Sequence, residues 1–127
     1  MIASTSAETF GRTSIEAQAM GCPVIVSDIG AAPETILPES PDRQEFTGWI
    51  VPCNDAAAIA AKVDEALTLA PEAYAALGAH ARRHVAAKFS LREMQRGTLA
   101  VYDELLGTDL ANRFGAHAEA AYTPSSP

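Results

Sequence analysis

The sequence predicts an α/β fold in which short buried strands alternate with helices. Residues 23–27 (PVIVS) form a nearly unbroken apolar run that opens with proline, a pattern typical of a buried parallel strand. Residues 47–52 (TGWIVP) form a second run of this kind. Helical periodicity covers residues 12–20 and dominates the chain after residue 54. This alternation indicates part of a doubly wound parallel sheet, followed by C-terminal helices.

The first elements are short. Residues 1–4 are predicted to end a strand, and a helix is predicted over residues 12–20 after a loop of small residues. Ile15 and Ala19 lie on one face of that helix, and Gly21 stands at its C-cap position.

Two further segments connect the strands. Residues 33–36 (PETI) predict a single helical turn with proline at its start. Residues 37–46 contain two prolines and four charged residues, which predicts a solvated loop.

Three helices are predicted after the second strand. Asn54 or Asp55 can cap the first, Pro71 opens the second, and the capping-box spacing from Ser90 begins the third, which Gly107 ends. Their apolar stripes consist of Ile59, Val63, Ala66 and Leu67, of Tyr74, Leu77, Ala81 and Val85, and of Met94, Thr98, Val101, Tyr102 and Leu105. Periodicity is lost afterwards, so the sequence predicts a domain over residues 1–106 and a partly disordered tail over residues 107–127.

Charge and cysteine content narrow the class of protein. The chain has 16 acidic and 9 basic residues, and its formal net charge of −7 opposes binding to nucleic acid or to an anionic membrane. Met1 is followed by neither a basic region nor a long apolar run, so no signal peptide is predicted. Cys22 and Cys53 lack metal-ligand spacing and are interpreted as reduced thiols. We therefore expect a cytoplasmic protein without a metal site.

One stretch, from residue 8 to residue 34, carries a pattern with chemical meaning. It combines a loop carboxylate, a Phe-Gly turn, a helix N-terminus and a second carboxylate within the helix. The free N–H groups of a first helical turn, together with the helix dipole, bind anions. Glu8 and Glu16 flank this point and can accept hydrogen bonds from sugar hydroxyls. The arrangement suits a nucleotide-diphosphate-sugar, with its phosphates at the helix start.

These residues resemble the signature of family 4 type retaining glycosyltransferases, which have the GT-B fold. Glu8 and Glu16 are separated by seven residues, with Phe10 and Gly11 between them, as in the E-x7-E motif of that family. The resemblance continues through residues 16–25 (EAQAMGCPVI), 27–34 (SDIGAAPE) and 47–52 (TGWIVP). It covers about residues 1–106 and implies the C-terminal half of a Rossmann-like, donor-binding GT-B domain.

The resemblance implies a role for each residue of the motif. Glu16 would bind the ribose hydroxyls of the nucleotide, and Glu8 would be the catalytic residue that contacts hydroxyls of the transferred sugar. The diphosphate and the sugar would meet the backbone N–H groups of Phe10, Gly11, Arg12 and Thr13. The family transfers a sugar from a UDP-, GDP- or ADP-sugar with retention of configuration, and it needs no metal ion or other cofactor for the donor.

Two observations predict that the chain is part of a larger enzyme. Two complete strands cannot cover the apolar faces of four helices, because a parallel sheet is buried on both sides. The first 36 residues hold four acidic residues against one base, Arg12, whereas the family binds the diphosphate with an Arg/Lys pair from a preceding segment. We therefore expect a segment that is inactive alone, and that associates with itself or with a missing N-terminal half. The donor nucleotide and the transferred sugar stay open, as does the acceptor, which can be a sugar, a lipid-linked sugar or a polysaccharide.

A non-catalytic remnant or interaction module derived from such an enzyme is the alternative function. Glu8 and Glu16 can also be surface carboxylates, with Arg12 and Glu16 as an exposed i,i+4 ion pair. Arg12 stays open between a phosphate contact and a solvated side chain. The remaining residues have structural interpretations: Glu34 as a helix cap, Gly30 as a turn glycine, Trp49, Tyr74 and Tyr102 as core residues, and His80, His84 and His117 as residues outside the site.

Overall fold

The computed structural model describes residues 2, 4–41 and 45–121, and the side chains of these residues up to residue 116. Its elements are α1 (Arg12–Ala19), β1 (Val24–Ser27), a 3-10 turn (Ala32–Thr35), β2 (Gly48–Val51), α2 (Ala56–Leu67), α3 (Pro71–Lys88), α4 (Leu91–Leu106) and α5 (Leu110–Ala121). The chain divides into two compact units, Met1–Lys88 and Phe89–Pro127. The predicted α/β fold class is confirmed, and the sheet lies in the first unit.

β1 and β2 pair in parallel, in a register that joins Val24 to Gly48 and Ser27 to Val51. All four β1 residues are buried, as their apolar run predicted. On the other edge of β1, Ile2 forms a single parallel bridge to Val26. The predicted strand end near the start of the chain is therefore represented by this bridge, while residues 1 and 3 lie outside the described part.

Alternate strand residues divide the core of the first unit into two layers. Val24 and Val26 pack with the 3-10 turn and with Ala17 of α1 on one face of the sheet. The other face packs against α2 and α3 through Ile25, Trp49, Val51 and Leu77. The ring of Trp49 is 2% exposed, and its indole Nε1 donates to Oε1 of Glu65 over 2.9 Å. The prediction that Trp49 is a core residue is confirmed, and its N–H has the partner that burial requires.

Several side chains predicted to be buried are exposed. Leu67 is 78%, Tyr74 44% and Tyr102 51% exposed. A four-residue strand spans roughly 13 Å, whereas the 12-residue α2 is about 18 Å long, so the sheet cannot reach the end of the helix that carries Leu67. Tyr102 lies on α4, every side chain of which is at least partly exposed.

The helix caps follow the sequence closely, with one exception. The side chain of Asp55, and not that of Asn54, caps α2 by accepting from the N–H of Ala58 over 2.9 Å. Ser90 caps α4, and Gly107 ends it in the left-handed conformation. Glu34 was predicted to cap its short helix, but it lies exposed inside the 3-10 turn, whose N-cap residue is Ala31.

The second unit contains a helix that the sequence did not reveal. Residues 107–127 were predicted as a partly disordered tail without helical periodicity, and within them α5 forms over Leu110–Ala121 and packs against α4. Its N-terminus is capped from a distance, because the carboxylate of Asp103 accepts from the N–H groups of Leu110 and Ala111 over 2.6 and 2.9 Å. Asp109 directly precedes α5 and is a residue type that favours the N-cap, so the sequence did contain a signal for the start of this helix. Residues 122–127 lie outside the described part.

We expect the Asp103 cap to make α5 sensitive to pH. A hydrogen bond from the Thr108 hydroxyl, followed by bonds from Ala111 and Leu110, lowers the pKa of Asp103 below its ordinary value. A carboxyl group with a depressed pKa stabilises the fold above its unfolded pKa, about 3.9, and this stabilisation is lost as the pH falls through the lower folded value. Asp103→Asn should therefore reduce the hydrogen-exchange protection of Leu110 and Ala111 at neutral pH. Glu104→Gln, its exposed neighbour on α4, is the control, and equal protection in both variants would contradict the cap.

Candidate functional site

The carboxyl ends of the parallel strands meet at one edge of the sheet, where α/β sheets bind ligands. The N–H of Cys53, after β2, donates to Oδ1 of Asp28, after β1, over 2.7 Å. Sγ of Cys53 lies 3.6 Å from the carbonyl oxygen of Ser4, and Oγ of Ser4 donates to Oε1 of Glu8 over 2.9 Å. These contacts connect the strand ends to Glu8. Ser4 and Asp28 were not predicted as site residues, although Ser4 is the last residue of one predicted strand and Asp28 directly follows another.

The backbone of Glu8 rests against a tight turn. Gly30 has a φ of +62°, and a Cβ atom placed on it would lie 2.7 Å from both the nitrogen and the carbonyl oxygen of Glu8. The carbonyl oxygen of Glu8 also accepts from the N–H of Ala31 over 3.0 Å. The prediction of a turn glycine at Gly30 is confirmed. Glycine is also required here for a second reason, since a Cβ atom at residue 30 would overlap the backbone of Glu8.

Gly11 begins α1 as its N-cap residue, with φ and ψ of 71° and 44°. A glycine cap provides no side-chain acceptor. The N–H groups of Arg12 and Thr13 come before the first N–H that bonds within the helix, so they are directed outward at its N-terminus. A Cβ atom on Gly11 would lie 3.9 Å from Oε2 of Glu8 and 3.5 Å from Cγ2 of Thr35. The structure therefore brings the Glu8 carboxylate to the turn from which α1 starts.

The other motif residues form an open surface around this turn. Phe10 is 54% exposed, and Thr13 also lies at the surface. Oε1 of Glu16 lies 3.2 Å from Nη2 of Arg12, and both side chains are more than half exposed. This is the i,i+4 ion pair that the alternative interpretation expected. Both side chains of such an exposed pair can rearrange at little cost, since it contributes only a few tenths of a kcal/mol.

Two basic side chains of α3 lie close to α1 and to the 3-10 turn, and both donate to backbone carbonyl oxygens. Nη1 of Arg82 donates to the carbonyl oxygen of Met20 over 3.2 Å, at the C-terminal end of α1. Nζ of Lys88 donates to the carbonyl oxygen of Glu34 over 3.3 Å. A cation at a helix C-terminus stabilises the helix through its dipole, and it lies at the end opposite to an anion site. His80 and His84, also on α3, are partly buried, and the His117 side chain lies outside the described part.

The buried face of α1 is polar, in contrast to the apolar pair Ile15 and Ala19. Ser14 and Gln18 are 1% and 0% exposed, and both meet Thr35 of the 3-10 turn, which is 2% exposed. We call these three residues the clasp. Nε2 of Gln18 donates to the carbonyl oxygen of Thr35 over 3.0 Å, and the hydroxyls of Ser14 and Thr35 are 2.8 Å apart. The clasp was not predicted, because serine and glutamine within a short helix are typical of a solvent-exposed surface.

The sequence is similar to a protein family and to several known proteins. The family model described as glycosyl transferases group 1 matches residues 1–84. A D-inositol 3-phosphate glycosyltransferase of Saccharomonospora viridis is 33% identical over 99 residues, which cover 78% of this chain and 21% of that protein. The lipopolysaccharide core biosynthesis mannosyltransferase LpsB of Rhizobium meliloti is 33% identical over 101 residues, covering 78% of this chain and 27% of that protein.

A solved structure of a glycosyltransferase is also similar to this chain. The crystal structure of a glycosyltransferase from Rickettsia africae matches with a TM-score of 0.70 and 38% sequence identity, covering 84% of this chain and 27% of that one. The chain thus spans about a quarter of the length of the proteins it matches. Within the described residues, no helix has the length and apolar character needed to cross a membrane.

Proposed function

Because this chain belongs to the glycosyl transferases group 1 family, we propose that it is the donor-binding segment of a family 4 type, retaining glycosyltransferase. It positions a UDP-, GDP- or ADP-sugar, whose sugar passes to an acceptor with retention of configuration. One observation carries the proposal. The Glu8 carboxylate borders the Gly11 turn and the first amides of α1, in the residue order of the E-x7-E motif.

Each residue of the site has a role in this proposal. The N–H groups of Phe10, Gly11, Arg12 and Thr13 hold the diphosphate and the sugar, since a helix start attracts anions through its free amides and its dipole. Glu16, one turn along α1, binds the ribose hydroxyls. Glu8 accepts hydrogen bonds from hydroxyls of the transferred sugar and is the catalytic residue. No metal ion takes part in holding the donor.

The same proposal explains why the chain needs a further segment. As the bond between the anomeric carbon and the diphosphate oxygen breaks, negative charge grows on the diphosphate, and preorganised positive groups must stabilise it. Arg12 is the one base among the first 36 residues, and the α3 bases described above bind carbonyl oxygens instead. The acceptor must also be held against the donor in a reactive geometry. We therefore propose that the chain alone is inactive, and that it acts with a missing N-terminal half or with a second copy.

The test uses a fusion that supplies the part of the Rickettsia africae protein that this chain does not span. Glu16→Ala should weaken donor binding by about 1.5–3 kcal/mol, the net value of hydrogen bonds to a charged group. Glu8→Ala should lower kcat more than it raises KM, because its contact strengthens in the transition state. Binding is measured by calorimetry with UDP-, GDP- and ADP-sugars, and transfer by product assay.

Two controls make the test decisive. Glu72→Ala removes an exposed carboxylate from the first turn of α3, and it should keep the kinetics of the unsubstituted fusion. The 127-residue chain alone should give background transfer only. Unchanged kinetics in both motif variants would refute the site, and a fusion that folds but neither binds nor transfers would favour the non-catalytic alternative.

A further inference from the structure

We propose that Thr35 is a positioning residue of the donor site, which holds Gly11 and the first turn of α1 in place from the buried side. The role of Thr35 in donor binding rests on the proposed function. Its restraint of α1 rests on the geometry of the clasp alone. Thr35 belongs to the 3-10 turn, 21 residues after Ser14, and it lies outside the E-x7-E motif.

The hydroxyls of the clasp can be assigned directions by counting protons. Oγ1 of Thr35 lies 2.7 Å from the carbonyl oxygen of Ala32 and 2.8 Å from Oγ of Ser14. A carbonyl oxygen can only accept and a hydroxyl has one proton, so Thr35 donates to Ala32 and Ser14 donates to Thr35. The Thr35 hydroxyl therefore ties the first turn of α1 to the 3-10 turn.

Gln18 bonds to both other members of the clasp. Its Nε2 lies 3.0 Å from the carbonyl oxygen of Thr35, 3.1 Å from Oγ of Ser14 and 3.2 Å from the carbonyl oxygen of Ser14, so its two protons serve Thr35 and Ser14. Ser14 thus accepts from Gln18 while it donates to Thr35. All three side chains are at most 2% exposed, so water cannot replace a broken bond at its own site. Removing one member leaves buried polar partners unsatisfied, which costs more than the net value of the bond itself.

Thr35 also reaches the turn that carries the proposed anion site. Its Cγ2 lies 3.5 Å from the position of a Cβ on Gly11, and the N–H of Ser14 donates to the carbonyl oxygen of Gly11 over 3.1 Å. Glycine has the widest backbone freedom of any residue, and a glycine cap has no side chain to restrain it. The methyl and the hydroxyl of Thr35 supply that restraint from outside. The directions of the amides at the helix start depend on it.

The experiment compares three variants of the chain by native-state amide hydrogen exchange. Thr35→Val keeps the shape and removes the hydroxyl, whereas Thr35→Ser keeps the hydroxyl and removes the methyl. Thr47→Val is the matched control, because Thr47 is fully buried and its Oγ1 accepts from the N–H of Leu37, away from α1. In Thr35→Val we expect protection of the α1 amides from Ser14 to Gln18 to fall by about tenfold more than that of the buried α3 amides. Thr35→Ser should retain most of it.

A purely structural role would give a different pattern. Equal loss of protection in α1 and α3, or the same α1 loss in Thr47→Val, would overturn the proposal. A titration of the fusion proteins with UDP, GDP and ADP forms the second arm, and Thr35→Val should bind the preferred nucleotide about tenfold more weakly than Thr35→Ser. If none of the three nucleotides binds any fusion protein while the exchange pattern is as expected, the clasp stands as the restraint on α1 and the proposed function fails.

Discussion

Gly48→Ala is expected to destabilise the first unit by about 3 kcal/mol, the upper range for forcing an extra group into a packed interior. A Cβ atom on Gly48 would overlap the carbonyl oxygen of Val24 and would lie 3.1 Å from its Cγ2. These two residues are partners in the parallel register, so neither backbone can withdraw without breaking the ladder. A loss of this size is a large part of the 5–15 kcal/mol that stabilises a typical domain.

Urea unfolding followed by tryptophan fluorescence measures this loss. Trp49 is the one tryptophan of the chain and lies next to Gly48 in the core, so its emission reports on the first unit. Gly97→Ala is the control, because a Cβ there, within α4, has open space, with no described atom within 4 Å. It should leave the Trp49 transition unchanged and stabilise α4 by about 0.5–1 kcal/mol. A Gly48→Ala protein with an unchanged urea midpoint would contradict the prediction, because it would mean that the sheet accommodates the methyl group at no cost in stability.

Gly30→Ala is expected to displace Glu8 and to reduce sugar transfer by about 100-fold, of the order that a displacement of about 1 Å can cause. The new Cβ would lie 2.7 Å from two backbone atoms of Glu8 and 3.0 Å from Cα of Ala7. β1, which precedes the Gly30 turn, is held on one edge by β2 and on the other by the bridge from Ile2, so we expect residues 7 and 8 to move instead. The bond from the N–H of Ala31 to Glu8 should then break.

Gly107→Ala separates this clash from the cost of the backbone conformation. Gly107 has a φ of +65°, close to that of Gly30, but a Cβ there faces open space, with no described atom within 4 Å. Both variants should lose about 1–2 kcal/mol for a left-handed alanine, and only Gly30→Ala should lose transfer in the fusion enzyme. Amide spectra of Glu8 and Ala31 give the displacement directly. Equal transfer in the two variants would mean that Gly30 does not position Glu8.

Local patterns in the sequence were sufficient for the elements and for the motif. The run from Pro23 to Ser27 predicted β1, and the second run predicted β2, because an unbroken apolar segment is stable only between two covering layers. Asp55, Ser90 and Gly107 marked helix ends, since each cap bonds to its own helix within a few residues. The order of Glu8, Gly11 and Glu16 likewise needed no structure to be read.

Contacts between distant segments were decided by the tertiary structure alone. Thr35 meets Ser14, the turn at Gly30 meets Glu8, and Asp103 caps a helix that begins seven residues later. The first two pairings join residues about 20 apart that share no helical or strand period, and the third crosses the turn between two helices, so local patterns do not predict them. Their partners become neighbours only when β1 and β2 align and set α1 beside the 3-10 turn, or, for Asp103, when α5 folds back on α4. The sequence by itself therefore determined which residues the proposed donor site offers, whereas packing decided how these residues are held.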